Sequence, residues 1–269
     1  MKARRNLLLA TTALTPLMIV AGTAVASAQA VSGPNATFGG FGGQWSGLSL
    51  GAGELRLTAP LGSAWGVQAD GIYGTIGGYT WGEAAGHLFT RDPSLGLAGI
   101  YGEWNQVGAN TTFRVGPEVE LYAANATFSG VAGWKSGGTS SVFAQFKGSF
   151  YVTPNDKMFA GYVYDDGQFA TAGMEHQFAG TGVSAFGEAR VGQNSSAAWA
   201  GLRIYFGTPG VPAKTLIDRD RQDVAPLWLW VADSANPGTT PAAGTTVGGT
   251  TEAPTTTGGT TAAPFTTLG

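Results

Sequence analysis

Period-two alternation of apolar and polar side chains, repeated along most of the chain, limits its fold more than any other feature. The stretch 197–207 reads AAWAGLRIYFG. Ala198, Ala200, Leu202, Ile204 and Phe206 fall on one face, and Trp199, Gly201, Arg203 and Tyr205 on the other. That is the pattern of a strand whose two sides meet different surroundings. The dyad recurs in 112–121, where Phe113, Val115, Val119 and Leu121 oppose Arg114, Glu118 and Glu120. In 142–152, Val142, Ala144, Phe146, Phe150 and Val152 oppose Gln145, Lys147, Ser149 and Tyr151; in 183–191, Val183, Ala185, Ala189 and Val191 oppose Ser184, Glu188 and Arg190. The polar face carries both signs of charge on strand after strand. Such a face suits a lumen of water and ion pairs better than the outside of a sandwich, and the apolar face then meets lipid.

Composition agrees. Charged residues make up 12% and aromatics 11%, glycine occurs 44 times, and no apolar run outside the N-terminus is long enough for a spanning helix. Alternating segments fall near 35–44, 47–58, 64–75, 84–91, 96–104, 110–121, 124–134, 141–152, 157–165, 168–178, 182–191 and 196–207. The expected fold is therefore all-β, an antiparallel up-and-down transmembrane barrel over 33–207 with about twelve strands, ten being the runner-up. Leu48 and Leu50 have one parity and Leu55 and Leu57 the other, which predicts a bulge near Gly51 to Gly53. Proline-bearing turns at Pro60, Pro93 and Pro154 are assigned to the periplasm. Looser glycine-rich links at 77–83, 105–110, 134–139, 165–168 and 192–196 are assigned to the exterior. Trp65, Tyr73, Trp104, Trp134, Tyr151, Tyr162, Tyr164, Phe178, Tyr205 and Phe206 are expected in the interfacial girdles. An arginine is expected to be costly at Val119 or Phe146, which face lipid, and mild at Gln145.

The ends differ from the middle. Lys2, Arg4 and Arg5, the apolar run 7–25 and the small residues around Ala28 and Ala30 read as a secretory signal peptide over 1–30. Without it the charge of the chain falls from −3 to −6, because that segment holds three basic and no acidic residues. Residues 208–231 are expected to be a periplasmic linker or short helix, with a charged run at 214–223 and an apolar Leu227-Trp228-Leu229-Trp230 too short to span. From 232 to 269 the Thr/Gly/Pro-rich composition cannot bury a core, and a disordered tail is expected.

Little points to catalysis. The chain has no cysteine and two histidines, His87 and His176, with no metal-ligand spacing, so no metal, cofactor or catalytic residue is assigned. His87 reads as a polar group of the lumen or interface, and His176 as one that reaches water near a strand end. His-x-Ser, as in lipid A deacylases, is missing: Leu88-Phe89 and Gln177-Phe178 follow the histidines. The same-facing Glu118 and Glu120 suggest acid–base work, but pairing with Arg114 or Lys147 is the favoured reading. An acidic chain without a basic patch argues against nucleic acid as a partner.

Gly201, Ile204 and Phe206 resemble the last-strand assembly signal of bacterial outer-membrane barrels, a glycine followed at fixed spacing by an apolar and an aromatic residue. Together with the glycine-rich dyad strands, the leader and the RDPSLG turn at 91–96, the chain resembles the small porin-like outer-membrane β-barrel proteins of Gram-negative bacteria. That resemblance implies location in the outer membrane, lipid and the barrel-assembly machinery as partners, and passage of small ions or polar solutes. It implies no catalytic residue. Expected lumen-lining residues are Glu54, Arg56, Asp70, Arg114, Glu118, Glu120, Gln145, Lys147, Glu175, Glu188, Arg190 and Arg203. Their nearly balanced signs leave two readings: opposed patches in a narrow diffusion channel, or pairs that fill a closed structural or surface-interaction barrel.

Overall fold

A computed structural model describes residues 29–137, 140–165, 167–193, 195–207 and 213–230. The expected signal peptide up to residue 28 and the expected disordered tail lie outside them. Twelve strands form one sheet: β1 (Asn35–Trp45), β2 (Leu48–Leu61), β3 (Trp65–Ile76), β4 (Tyr79–Asp92), β5 (Gly96–Val107), β6 (Asn110–Ala123), β7 (Ala126–Ser136), β8 (Ser141–Thr153), β9 (Asp156–Tyr164), β10 (Gln168–Gln177), β11 (Val183–Gly192) and β12 (Ser196–Phe206). Each strand pairs antiparallel with the next, and the ring closes where β1 meets β12, Gly39 opposite Arg203 and Gly42 opposite Ala200. Closure leaves no strand edge open, the condition for a sheet to cross lipid.

One parity of each strand faces the inside and the other is exposed. Phe38, Leu55, Leu57, Ile100, Phe113, Phe146 and Leu202 lie on the exposed face. Trp65, Tyr73, Trp134, Tyr162, Tyr164, Phe178 and Phe206 are exposed as a girdle requires. Tyr151 and Tyr205 are not girdle residues: they share the parity of Lys147 and Arg203 and donate hydroxyl hydrogen bonds inward to Asp220 and Glu175. The bulge expected in β2 is absent, because its register with β1 and β3 runs unbroken through Gly51 to Gly53. Leu50 and Glu54 both face the lumen. What changes along β2 is the chemistry of the interior, apolar toward one mouth and charged toward the other.

The near mouth carries the start and end of the barrel; its turns are 62–64, 93–95, 124–125, 154–155 and 178–182. At the far mouth the links are 46–47, 77–78, 108–109, 137–140, 165–167 and 193–195. Where the looser links expected there are described throughout, at 77–78 and 108–109, they are corrected to two-residue turns, since the strands run on into the expected loops 77–83 and 105–110. Gly77 and Gly78 both have positive φ, 58° and 85°, the backbone that a two-residue hairpin requires. Other glycines are needed inside strands. A Cβ at Gly201 would stand 2.2 Å from the Gly40 carbonyl oxygen.

The helix α1 (Leu216–Gln222) closes the near mouth. Thr215 caps it, its Oγ1 accepting from the Asp218 amide at 3.3 Å. Its charges are docking groups: Asp220 accepts from Lys157 Nζ at 2.8 Å and from Tyr151 at 2.7 Å, Arg221 donates to the Ala126 carbonyl at 2.7 Å, and the Arg219 guanidinium lies 3.8 Å from the Tyr205 ring centre. Residues before β1 complete the closure, with Val31 seated against Phe89, Leu97 and Ala225. Within 208–231 the described residues 213–230 hold α1 and then a segment, 224–230, packed among residues of the barrel interior.

Candidate functional site in the barrel lumen

Residues 224–230, VAPLWLW, run through the lumen from the near mouth toward the far one. Their partners mark the ascent. Arg91, one residue from the near end of β4, donates to the Val224 carbonyl at 2.5 Å. Gln68 of β3 holds Ala225 at both backbone groups: its Oε1 accepts from the amide at 2.8 Å and its Nε2 donates to the carbonyl at 3.3 Å. Trp228 Nε1 donates to Glu118 at 3.0 Å, and Arg190 donates to the Leu229 carbonyl at 2.8 Å. Trp230 Nε1 donates to the Tyr101 hydroxyl at 3.0 Å. The Arg114 guanidinium lies 4.9 Å from its ring centre, and Phe143 meets it edge-on at 5.0 Å. Phe143 is two residues from the far end of β8, so the segment crosses most of the barrel.

Among the described residues the wall carries three larger charged clusters along this segment, beside the Arg190–Glu188 pair. Toward the near mouth, Arg203 donates to Glu54 at 2.5 Å and to Glu175 at 3.1 Å; Arg56 adds to Glu54, and Lys157 joins Glu175 to Asp220 of α1. In the middle, His87 lies between Asp70 at 3.0 Å and Glu118 at 2.9 Å. Toward the far mouth, Arg114 bridges Glu103 and Asp165, and Lys135 reaches Asp165 at 2.7 Å. Burial makes each pair electrostatically strong and each missing partner costly. Above these groups Phe41, Trp45, Leu50, Trp81, Phe169 and Trp199 form an apolar layer with the two tryptophans of the segment.

Glu54, Arg56, Asp70, Arg114, Glu118, Glu120, Gln145, Glu175, Glu188, Arg190 and Arg203 are buried in the interior, and Lys147 is half-buried with its ammonium 4.7 Å from the Phe159 ring centre. The expected partners are corrected. Glu118 meets His87 and Trp228, and Glu120 accepts from Tyr122 and Ser129. Arg114 sits opposite Glu103 in the register and turns there instead. Gly201, Ile204 and Phe206 lie in β12, the last two facing outward.

Sequence reasoning passed over Gln68, Glu83, Arg91, Glu103 and Asp165, all buried. On β4 the outward face is Gly82, Ala84, Gly86, Leu88 and Thr90, too small to contrast with Glu83, His87 and Arg91. Asp165 stands in a link, where strand periodicity does not apply. Both ring nitrogens of His87 face carboxylates, unlike a nucleophile–base pair, in which one faces a hydroxyl. His176 pairs at the near mouth with Asp156 at 2.6 Å.

No protein-family profile matches the chain, and no curated protein is similar to it. Solved structures do resemble it. A KdgM porin in complex with disordered oligogalacturonate aligns with a TM-score of 0.53 and 6% identity, over 64% of this chain and 99% of that one. The fold is that of a porin-like outer-membrane barrel. An outer membrane channel from Pseudomonas putida F1 (TM-score 0.49, 12% identity, 67% of this chain and 97% of that one) and the outer membrane phospholipase A from Escherichia coli (0.46, 12%, 64% and 92%) also align. At these identities the likeness speaks of architecture alone.

Proposed function

We propose that the protein is an outer-membrane channel for small ions or polar solutes, whose resting lumen is occupied by residues 224–230. The carrying observation is that Trp228, Leu229 and Trp230 lie buried inside the closed ring, beside a cavity of about 90 Å³ with charged groups such as Arg56, Lys147, Arg203 and Glu188 on the wall side and Val224 to Leu229 on the other. The wall around it is closed by its own hydrogen bonds, and the segment adds no strand to it. Trp228, Leu229 and Trp230, with the apolar layer around them, occupy the interior that a water column across ~30 Å of hydrocarbon would need. Ions therefore pass freely only when the segment moves. Near-balanced wall charge then gives weak selectivity, with a cation preference from the acidic chain.

Planar-bilayer recording tests this. The full chain is expected to give small or rare conductance steps, and a chain ending at Gly207 larger and steadier ones. The apolar layer at the far mouth favours a second reading, a closed structural barrel. That reading stands if both proteins insert and neither conducts.

A further inference from the structure

We propose that the lumen of this barrel is a peptide-binding site, and that its ligand class is an extended peptide carrying two tryptophans two residues apart, met here by the chain's own 224–230. Three observations carry this. First, recognition is of peptide backbone. Gln68 engages both the amide and the carbonyl of Ala225, as a neighbouring strand does, and Thr58 Oγ1 donates to the same Gln68 oxygen at 2.9 Å, fixing the amide's orientation. The Leu229 carbonyl receives Arg190. Second, both indoles are addressed individually. Each N–H has one buried acceptor, Glu118 or Tyr101, and both rings are fully enclosed, at 1% and 0% exposure. Period-two spacing brings both to one side of an extended chain, and Pro226 between the clamp and the first indole lacks an N–H that would need a partner. Large aromatics in desolvated pockets beside a polar clamp are how peptide interfaces concentrate affinity.

Third, wall and segment are separable in bonding. Every strand of the wall finds its ladder partners in neighbouring strands, so the segment leaves without opening the sheet. The groups facing it are side chains, as in a receptor for a ligand. The inference rests on the channel reading only for what release accomplishes; binding is measured independently of conduction.

The test cuts the tether in the folded protein. A site-specific protease sequence is inserted after Gly207, the full chain is purified in detergent and cleaved, and barrel folding is verified by heat-modifiable migration. The released fragment is expected to stay with the barrel through extensive washing. A labelled synthetic peptide of sequence 216–230 is expected to displace it at least about tenfold more effectively than a scrambled peptide of equal composition. Trp228→Ala with Trp230→Ala in the fragment, or Gln68→Ala in the wall, is expected to speed its loss about tenfold or more. The proposal is overturned if the native fragment washes away as fast as the double alanine variant, or if the scrambled peptide displaces it equally well. Retention and exchange without any conductance change would leave this site standing and remove the channel reading.

Discussion

Gln145 is the least satisfied side chain of the lumen. Among the described residues, neither its Oε1 nor its Nε2 has a hydrogen-bond partner, and its register neighbours are Val131 and Val163. A buried amide left unpaired costs about 1–3 kcal/mol. Gln145→Leu is therefore expected to stabilise the barrel by roughly 1 kcal/mol or more, read from urea unfolding in micelles; an unchanged midpoint would show that water satisfies the amide. The filled interior also revises the mildness expected of an arginine at this position. Phe146→Arg is expected to cost ~2–4 kcal/mol by placing charge in hydrocarbon. Gln145→Arg is now expected to cost about 1–3 kcal/mol by overpacking. The same unfolding measurement compares them, and a neutral Gln145→Arg would mean that the lumen at that height is roomier than its packing indicates. At this scale the sequence was legible in orientation and illegible in partnership. Parity alone put Glu118 and Arg114 on the inner face. Nothing in spacing said that His87 would lie between carboxylates 17 and 31 residues away, or that Asp165 would turn in from a link.

Among the elements, α1 carries the coupling between mouth and lumen. Asp220 joins Lys157 and Tyr151 of the wall, and the luminal segment begins at Val224, two residues after the last residue of α1. Asp220→Asn removes the charge opposite Lys157. It is expected to loosen the near mouth and raise the frequency of conductance steps several-fold, with the barrel still heat-modifiable; bilayer recordings with unchanged step frequency would show that α1 does not hold the segment. Twelve strands could be counted from sequence because each alternates over nine residues or more. Far-mouth link lengths could not, because glycine was read there as a turn former. One of these glycines, Gly192, instead ends β11 in close contact with its neighbour: a Cβ there would stand 2.9 Å from the Gln168 carbonyl oxygen. The LWLW run was visible as apolar and too short to span. Its destination was not, since an apolar run beside a charged helix carries no sign of a barrel interior waiting for it.

For the whole molecule, closure and filling have separate origins: the ring is complete through β1 and β12, and the filling arrives after β12 in the chain. The full chain and a truncation after Trp230 are both expected in the outer-membrane fraction and heat-modifiable on gels. Recovery of the full chain in the soluble periplasm would end the barrel reading, and loss of the truncated chain alone would make residues 231–269 part of assembly. Covalent attachment has its own consequence. Between Phe206 and Leu216 lie nine residues, 207–215, and a short tether holds a ligand at an effective concentration on the order of millimolar. Occupancy is then a unimolecular matter, indifferent to how much protein the membrane holds. A free peptide of equal affinity would have to reach millimolar levels to compete. On the proposed reading, the closed state is thereby insulated from stray peptides in the surrounding compartment, and opening works through α1 and its tether more readily than by outbidding the segment for its pocket.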